Sequence, residues 1–150
     1  MRTPKVNVKM NYTKKCKLWK LGPGGCHLVI QARMLGKPVH LLIDTGANHT
    51  CFDKQFVDSL DIDTKESGKD EVNVGIGGED FVALIAVMRD LKIGRRKIPP
   101  LHCRLIDLQH VNAAYQMAGF PNIQGIIGGD FLKSYHAVID YGQRTLTFDI

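Results

Sequence analysis

The 150-residue sequence contains no Cys-x-x-Cys pair. Its four cysteines, Cys16, Cys26, Cys51 and Cys103, stand far apart, which excludes zinc-ribbon and thioredoxin-type spacings. His27 beside Cys26, and His49 two residues before Cys51, have no ligand-like spacing either, so no metal or other cofactor is expected. No Gly-Lys-Ser or Gly-Lys-Thr occurs, and Asp80 stands where a Gly-x-Gly-x-x-Gly fingerprint begun at Gly75 would need its last glycine. Phosphate-loop and dinucleotide binding are thereby set aside. No apolar run approaches the about 20 residues of a membrane-spanning helix. The polar, basic N-terminus lacks the apolar stretch of a signal peptide. Reduced thiols, a cytoplasmic location and no membrane partner are the expectation.

Acidic residues are missing from the first 43 positions, which hold nine Lys or Arg; the other 107 hold eleven against fifteen Asp or Glu. The reading is a basic N-terminal arm, residues 1–24, followed by a single domain, residues 25–150. A basic arm can meet nucleic acid or an acidic partner. This one has no arginine-rich run, and its aromatics, Tyr12 and Trp19, match no RNA-stacking pattern. Nucleic acid is therefore not an expected partner, and a solvated tail or edge strand is the plainer reading.

Residues 26–34 alternate, with Leu28, Ile30, Ala32 and Met34 on one face, which predicts a strand. Leu35-Gly36-Lys37-Pro38 signals a turn and residues 39–43 a second, more apolar strand. Phe52, Phe56, Val57 and Leu60 recur at helical spacing. Residues 71–76 and 81–93 read as a second hairpin about Gly77-Gly78-Glu79-Asp80. Leu108, Val111, Tyr115 and Ala118 share a helical face, with Asp107 as N-cap and Gly119 and Pro121 as the stop. Residues 125–132 read as a strand running into a short helix, and residues 137–140 and 145–148 as a closing hairpin. The inventory predicts a mainly β protein, a closed antiparallel β-barrel with two or three short helices.

Asp44 ends an apolar strand, where a carboxylate is unexpected unless paired or used. Thr45 then offers a hydroxyl, and Gly46 permits close approach of another segment. The run Leu41-Leu42-Ile43-Asp44-Thr45-Gly46-Ala47 resembles the active-site motif of the aspartic proteases. Ile126-Ile127-Gly128 resembles their hydrophobic-hydrophobic-Gly motif, and Gly129-Asp130-Phe131-Leu132 the run that follows it in cellular and bacterial members. The likeness covers residues 25–150. One Asp-Thr-Gly on a chain of this length is similar to the retropepsin-like aspartic proteases, in which two copies each contribute one Asp.

That resemblance implies an acid-protease barrel, a homodimer, and hydrolysis of a peptide or protein substrate. It assigns Asp44, Thr45 and Gly46 to catalysis. Ala47, Asn48, Ile126 and Ile127 would bind substrate, together with Gly75, Ile76, Gly77 and Gly78 as a glycine-rich flap tip. The psi-shaped packing of the two motifs is implied too, as is an interleaved dimer strand at Thr145-Leu146-Thr147-Phe148. An intramolecular strand would show the same alternation. The sequence departs from viral members, which carry an Asp and an Arg where Asn48 and Gly129 stand, and residues 107–118 are an addition to the compact viral domain. Both features point to the bacterial or cellular branch. The alternative is a non-catalytic dimeric peptide-binding module that retains the fold; the intact Asp-Thr-Gly speaks for the enzyme.

Overall fold

The computed structural model describes residues 10–66 and 83–150. The chain enters through two short strands, β1 (Asn11–Lys15) and β2 (Lys17–Leu21). The expected hairpin follows as β3 (Gly25–Met34) and β4 (Lys37–Ile43). Met34 pairs with Lys37, so the turn has two residues, Leu35 and Gly36, both at positive φ. That backbone matches the right-handed twist of the strands it joins. β5 (Cys51–Asp53) leads into helix α1 (Lys54–Asp58), then β6 (Thr64–Glu66). β7 (Leu84–Met88), β8 (Leu91–Ile93), β9 (Arg96–Lys97) and β10 (Leu101–Ile106) precede helix α2 (Gln109–Met117). The chain ends with β11 (Gly125–Ile127), helix α3 (Gly129–Ser134), β12 (Val138–Asp140) and β13 (Thr145–Asp149).

Ten of these strands form one sheet, ordered β6-β7-β10-β5-β11-β4-β3-β8-β9, with β2 added on β3. Two corrections to the expected barrel follow. The sheet is mixed, because β4 runs parallel to β11 and β5 parallel to β10. Nor is it closed: its ends, β6 and β9, do not pair among the described residues. The strand expected over residues 81–93 is, in its described part, two. Asp90, at φ 60°, breaks the run, so that β7 pairs with β10 while β8 crosses to β3. The remainder of that expected hairpin, including Gly75, Ile76, Gly77 and Gly78, lies outside the described residues.

The basic segment is not an arm from Asn11 onward. β1 pairs with β13, β2 pairs with β3, and Trp19 is only 4% exposed. Lysines stand among its buried or partly buried Tyr12, Cys16, Leu18 and Trp19, so its net charge hides two half-buried strands. A second, three-stranded sheet, β1-β13-β12, results. β13 is its central strand, with both edges occupied inside the chain. That corrects the expectation of an interleaved dimer strand at residues 145–148.

Strand alternation separates two cores. Leu28, Ile30 and Met34 of β3, Leu41 and Ile43 of β4, Phe52, Ile127 and Phe148 fill the main one. On the opposite face Trp19, Val29, Leu108, Tyr115 and Ile123 form a second, roofed by α2, with Leu42 and Ile126 packed against it. Asp53 ties the helices down. One carboxylate oxygen accepts from Phe56 N–H at the start of α1, and the other from Leu108 N–H just before α2. Asp107 accepts from Gln109 N–H, and Gly119, at φ 84°, ends α2 as expected. None of the described helices is long and apolar enough to cross a membrane.

Candidate active site

β11 lies between β4 and β5, and the loop of residues 44–50 joins those two strands around its end. This is the psi-shaped arrangement. Asp44 N–H extends the β4–β11 pairing by donating to the Ile127 carbonyl at 3.0 Å. The chain then turns tightly: Gly46 N–H donates to Asp44 Oδ1 at 2.9 Å, and Ala47 N–H to the Asp44 carbonyl at 3.2 Å. A Cβ on Gly46 would stand 3.2 Å from that carboxylate oxygen, so the glycine keeps the turn open. Asp44 is half-buried, whereas Thr45 is exposed, and its hydroxyl has no partner among the described residues.

The second motif clamps the loop from the side. Gly129 N–H donates to the Ala47 carbonyl at 2.7 Å and Asp130 N–H to the Asn48 carbonyl at 3.2 Å. One oxygen of Asp130 accepts from Thr50 N–H, the Thr50 hydroxyl and Phe131 N–H, all within 2.7–2.8 Å. The buried Thr50 hydroxyl in turn accepts from Gly128 N–H at 3.1 Å. Gly128 is required by contact, because a Cβ there would come within 2.6–2.8 Å of His49 and Ala47 backbone atoms. At Asn48 and Gly129 the clamp runs through backbone, and the neighbouring Asp130 carboxylate supplies the side-chain bonds. The pattern made Asp130 visible as part of a motif, but not Thr50, whose partner is 80 residues away.

The predicted site residues do not all share one surface. Val39, Leu41 and Ile43 point into the main core, so Asp44, Leu42 and His40 alternate to the other face, with Ile126. Ile127 faces the main core and is 2% exposed, so its side chain cannot meet a ligand there. Ala47 is half-buried and Asn48 exposed beside Asp44.

Two residues that sequence reasoning left in a helical face and a strand join this side. The Tyr115 hydroxyl lies 2.6 Å from His27 Nδ1. Its phenol is held above its ordinary range, first by burial and second by the negative charge of Asp44. Only tertiary packing of α2 brings Tyr115 to Asp44, and no local pattern encodes it. Cys51, at the end of the loop, is no rival nucleophile. Burial, then the charge of Asp130, pushes its thiol up to about 11, and it donates to the His49 carbonyl. Among the described residues no three His, Cys, Asp or Glu side chains gather as a metal site.

The family model for aspartyl proteases matches residues 30–131, from β3 to α3 and so across both motifs. The chain belongs to the aspartyl protease family. Its fold is similar to that of a retropepsin-like aspartic protease from Rickettsia conorii, at a TM-score of 0.56 and 12% identity, over 94% of this chain and 93% of that one. It is also similar to the retroviral protease-like domain of Ddi1 from Leishmania major, at a TM-score of 0.52 and 19% identity, over 81% of this chain and 87% of that one. No curated protein sequence matches the chain. The fold of this aspartyl protease family member is thus retropepsin-like and mainly β, and the matched residues include the Asp44 turn.

Proposed function

We propose that the protein is a homodimeric aspartic endopeptidase in which each chain supplies one Asp44. The observation that carries this reading is the half-buried Asp44 carboxylate at the end of β4, in an Asp-Thr-Gly turn fixed to β11 by the Asp44–Ile127 hydrogen bond. Two such carboxylates a few ångströms apart cannot both ionise easily and share one proton. The ionised one takes a proton from water as its oxygen attacks the peptide carbonyl carbon, while the protonated one donates to the carbonyl oxygen. Collapse of the tetrahedral intermediate breaks the C–N bond, and the amine leaves with a proton from the dyad. Thr45, exposed at the loop tip, would bond the partner loop, and Gly46 would admit the substrate backbone. Asn48, Ala47 and Ile126 would line the groove, and Gly75, Ile76, Gly77 and Gly78 would cover it. The substrate class is an extended peptide, and the compartment the cytoplasm.

Asp44→Asn tests the reading. The variant should keep the wild-type circular dichroism and melting curve and lose at least about 10²-fold in peptide cleavage. Wild-type turnover by the purified variant would falsify the assignment. The rate should also be bell-shaped on the acidic side of neutrality, because only the singly protonated pair is competent.

A further inference from the structure

The sheet face that carries Asp44 also carries a row of cations. Arg33 of β3 stands directly opposite Lys92 of β8, and Lys92 directly opposite Lys97 of β9. Directly opposed residues share a face, so three exposed cations lie side by side, about 5 Å from strand to strand. Like charges opposed across strands destabilise a sheet. Edge protection accounts for Lys97, on the outermost strand β9, but β3 and β8 are interior strands. Lys97 is paired with Asp90 at 2.9 Å, whereas Arg33 and Lys92 form no ion pair among the described residues. Arg33 Nη1 donates to the Gly36 carbonyl at 2.6 Å, which holds the exposed guanidinium with most of its donors still unused. Further cations gather at the same place. A cavity of about 270 Å³ opens beside Arg33 and Lys92; its polar side chains are those two, Lys14, Gln31 and His40, with no carboxylate. Burial, then the charge of Lys17, holds the His40 imidazole below its ordinary range, which adds the Lys17 ammonium to this border.

We infer that this basic face is a docking surface for an acidic segment of the protein substrate. The inference rests on the reading of the chain as an endopeptidase, and it narrows the class of substrate. Carboxylates laid across the row would replace the repulsion among Arg33, Lys92 and Lys97 with attraction, and the Arg33 fork can take one of them bidentately. Arg33 opposes Pro38 of β4, and β4 alternates from Pro38 through His40 and Leu42 to Asp44. Those six steps of strand cover about 20 Å. The acidic segment therefore lies at least about six extended residues from the scissile bond. α2 roofs the stretch between, over Leu42 and Ile126. Nucleic acid suits this face less well. Its bases need open rings to stack on; Trp19, beside His40, is 4% exposed, and the Tyr12 ring is taken by Phe148 and Arg96.

Fluorescein-labelled octaglutamate, followed by anisotropy, should bind the full chain saturably and less tightly as salt rises. Arg33→Glu combined with Lys92→Glu should weaken that binding by about tenfold or more. Lys20→Glu combined with Lys133→Glu makes the same change in net charge on exposed lysines outside the row, and should weaken it less than about twofold. At low salt Lys92→Glu, flanked by Arg33 and Lys97, should hold or raise the melting midpoint; a lowered midpoint would remove the repulsion on which the inference stands. In cleavage assays a peptide joined to a glutamate run by a flexible Gly-Ser linker should show a lower KM than the same peptide with a glutamine run. Its kcat should be unchanged, and the double variant at Arg33 and Lys92 should erase the difference. No binding of octaglutamate, or binding indifferent to that double variant, overturns the surface. So does tighter binding of an oligothymidylate of equal charge that the double variant abolishes. Equal KM for the two substrates overturns the role in substrate choice. A fully active Asp44→Asn that still binds octaglutamate would remove the catalytic reading and leave the docking surface standing.

Discussion

The loop that carries Asp44 and the sheet that carries Val138 are joined by one six-residue helix, yet they are held in different ways. The loop is clamped across its flank: Ala47 and Asn48 are bonded through backbone to residues 129 and 130, Thr50 is bonded to the Asp130 carboxylate and Gly128 N–H, and glycine stands at 128 where any side chain would collide. The terminal sheet combines ordinary strand pairing with side-chain packing. Tyr12 packs edge-on against Phe148, Thr13 and Thr147 share a hydroxyl hydrogen bond, and Leu146 and Phe148 are fully buried. A site needs carboxylate positions that do not drift, and backbone bonds with close glycine contacts allow little drift.

The contrast can be broken first at Gly128. Gly128→Ala sets a methyl against the backbone of His49 and Ala47, which cannot yield as a side-chain end would. A loss of about 3 kcal/mol is expected from such overpacking, read as a lowered urea midpoint. Asp130→Ala should come next. It strands Thr50 N–H and the buried Thr50 hydroxyl at a cost of about 2 kcal/mol, and Asp130→Asn, which keeps an acceptor oxygen, should recover part of it. In the terminal sheet Thr13→Val removes one exposed hydroxyl pair and should cost less than about 1 kcal/mol. A Thr13→Val effect equal to that of Gly128→Ala would erase the distinction.

Alkaline pH sharpens it, because each region holds a buried thiol. Burial raises Cys51, beside the loop, and Cys16, between β1 and β2, from 9.0 to about 11, and Cys103, in the main core, to about 12. A group whose folded value is raised stabilises the fold below its unfolded value and ceases to do so as pH climbs through the folded one. The urea midpoint should therefore hold level up to about pH 9 and fall between there and pH 11–12. Cys51→Ala and Cys16→Ala should each make that fall shallower.

The same two regions divide what the sequence made legible. The Asp44 turn, the strand-to-helix passage into α3 and the stop of α2 at Gly119 follow from short runs whose chemistry is local, whereas the β4–β11 contact is implied only by the resemblance of the two motifs to those of the aspartic proteases. The placement of β1 and β2 does not. Tyr12 and Cys16 are spaced as one face of a half-buried strand, but the neighbouring lysines dominate any charge count, and the partners of β1 are 130 or more residues away. The parallel pairings escaped for a related reason: alternation reports which face is buried, and is silent on the direction of the neighbour. Asp90 divides β7 from β8 through a left-handed backbone that an Asp tolerates without announcing. Tyr115 read correctly as an apolar helix position, while its approach to Asp44 depends on how α2 roofs the sheet.

The central claim is that one chain holds half an active site. Specific cleavage activity measured over a dilution series that crosses the dimer dissociation constant, with sedimentation on the same samples, tests it most directly. Activity per chain should fall in step with the dimer fraction and return on concentration. A specific activity that stays constant while the protein sediments as a monomer would contradict it.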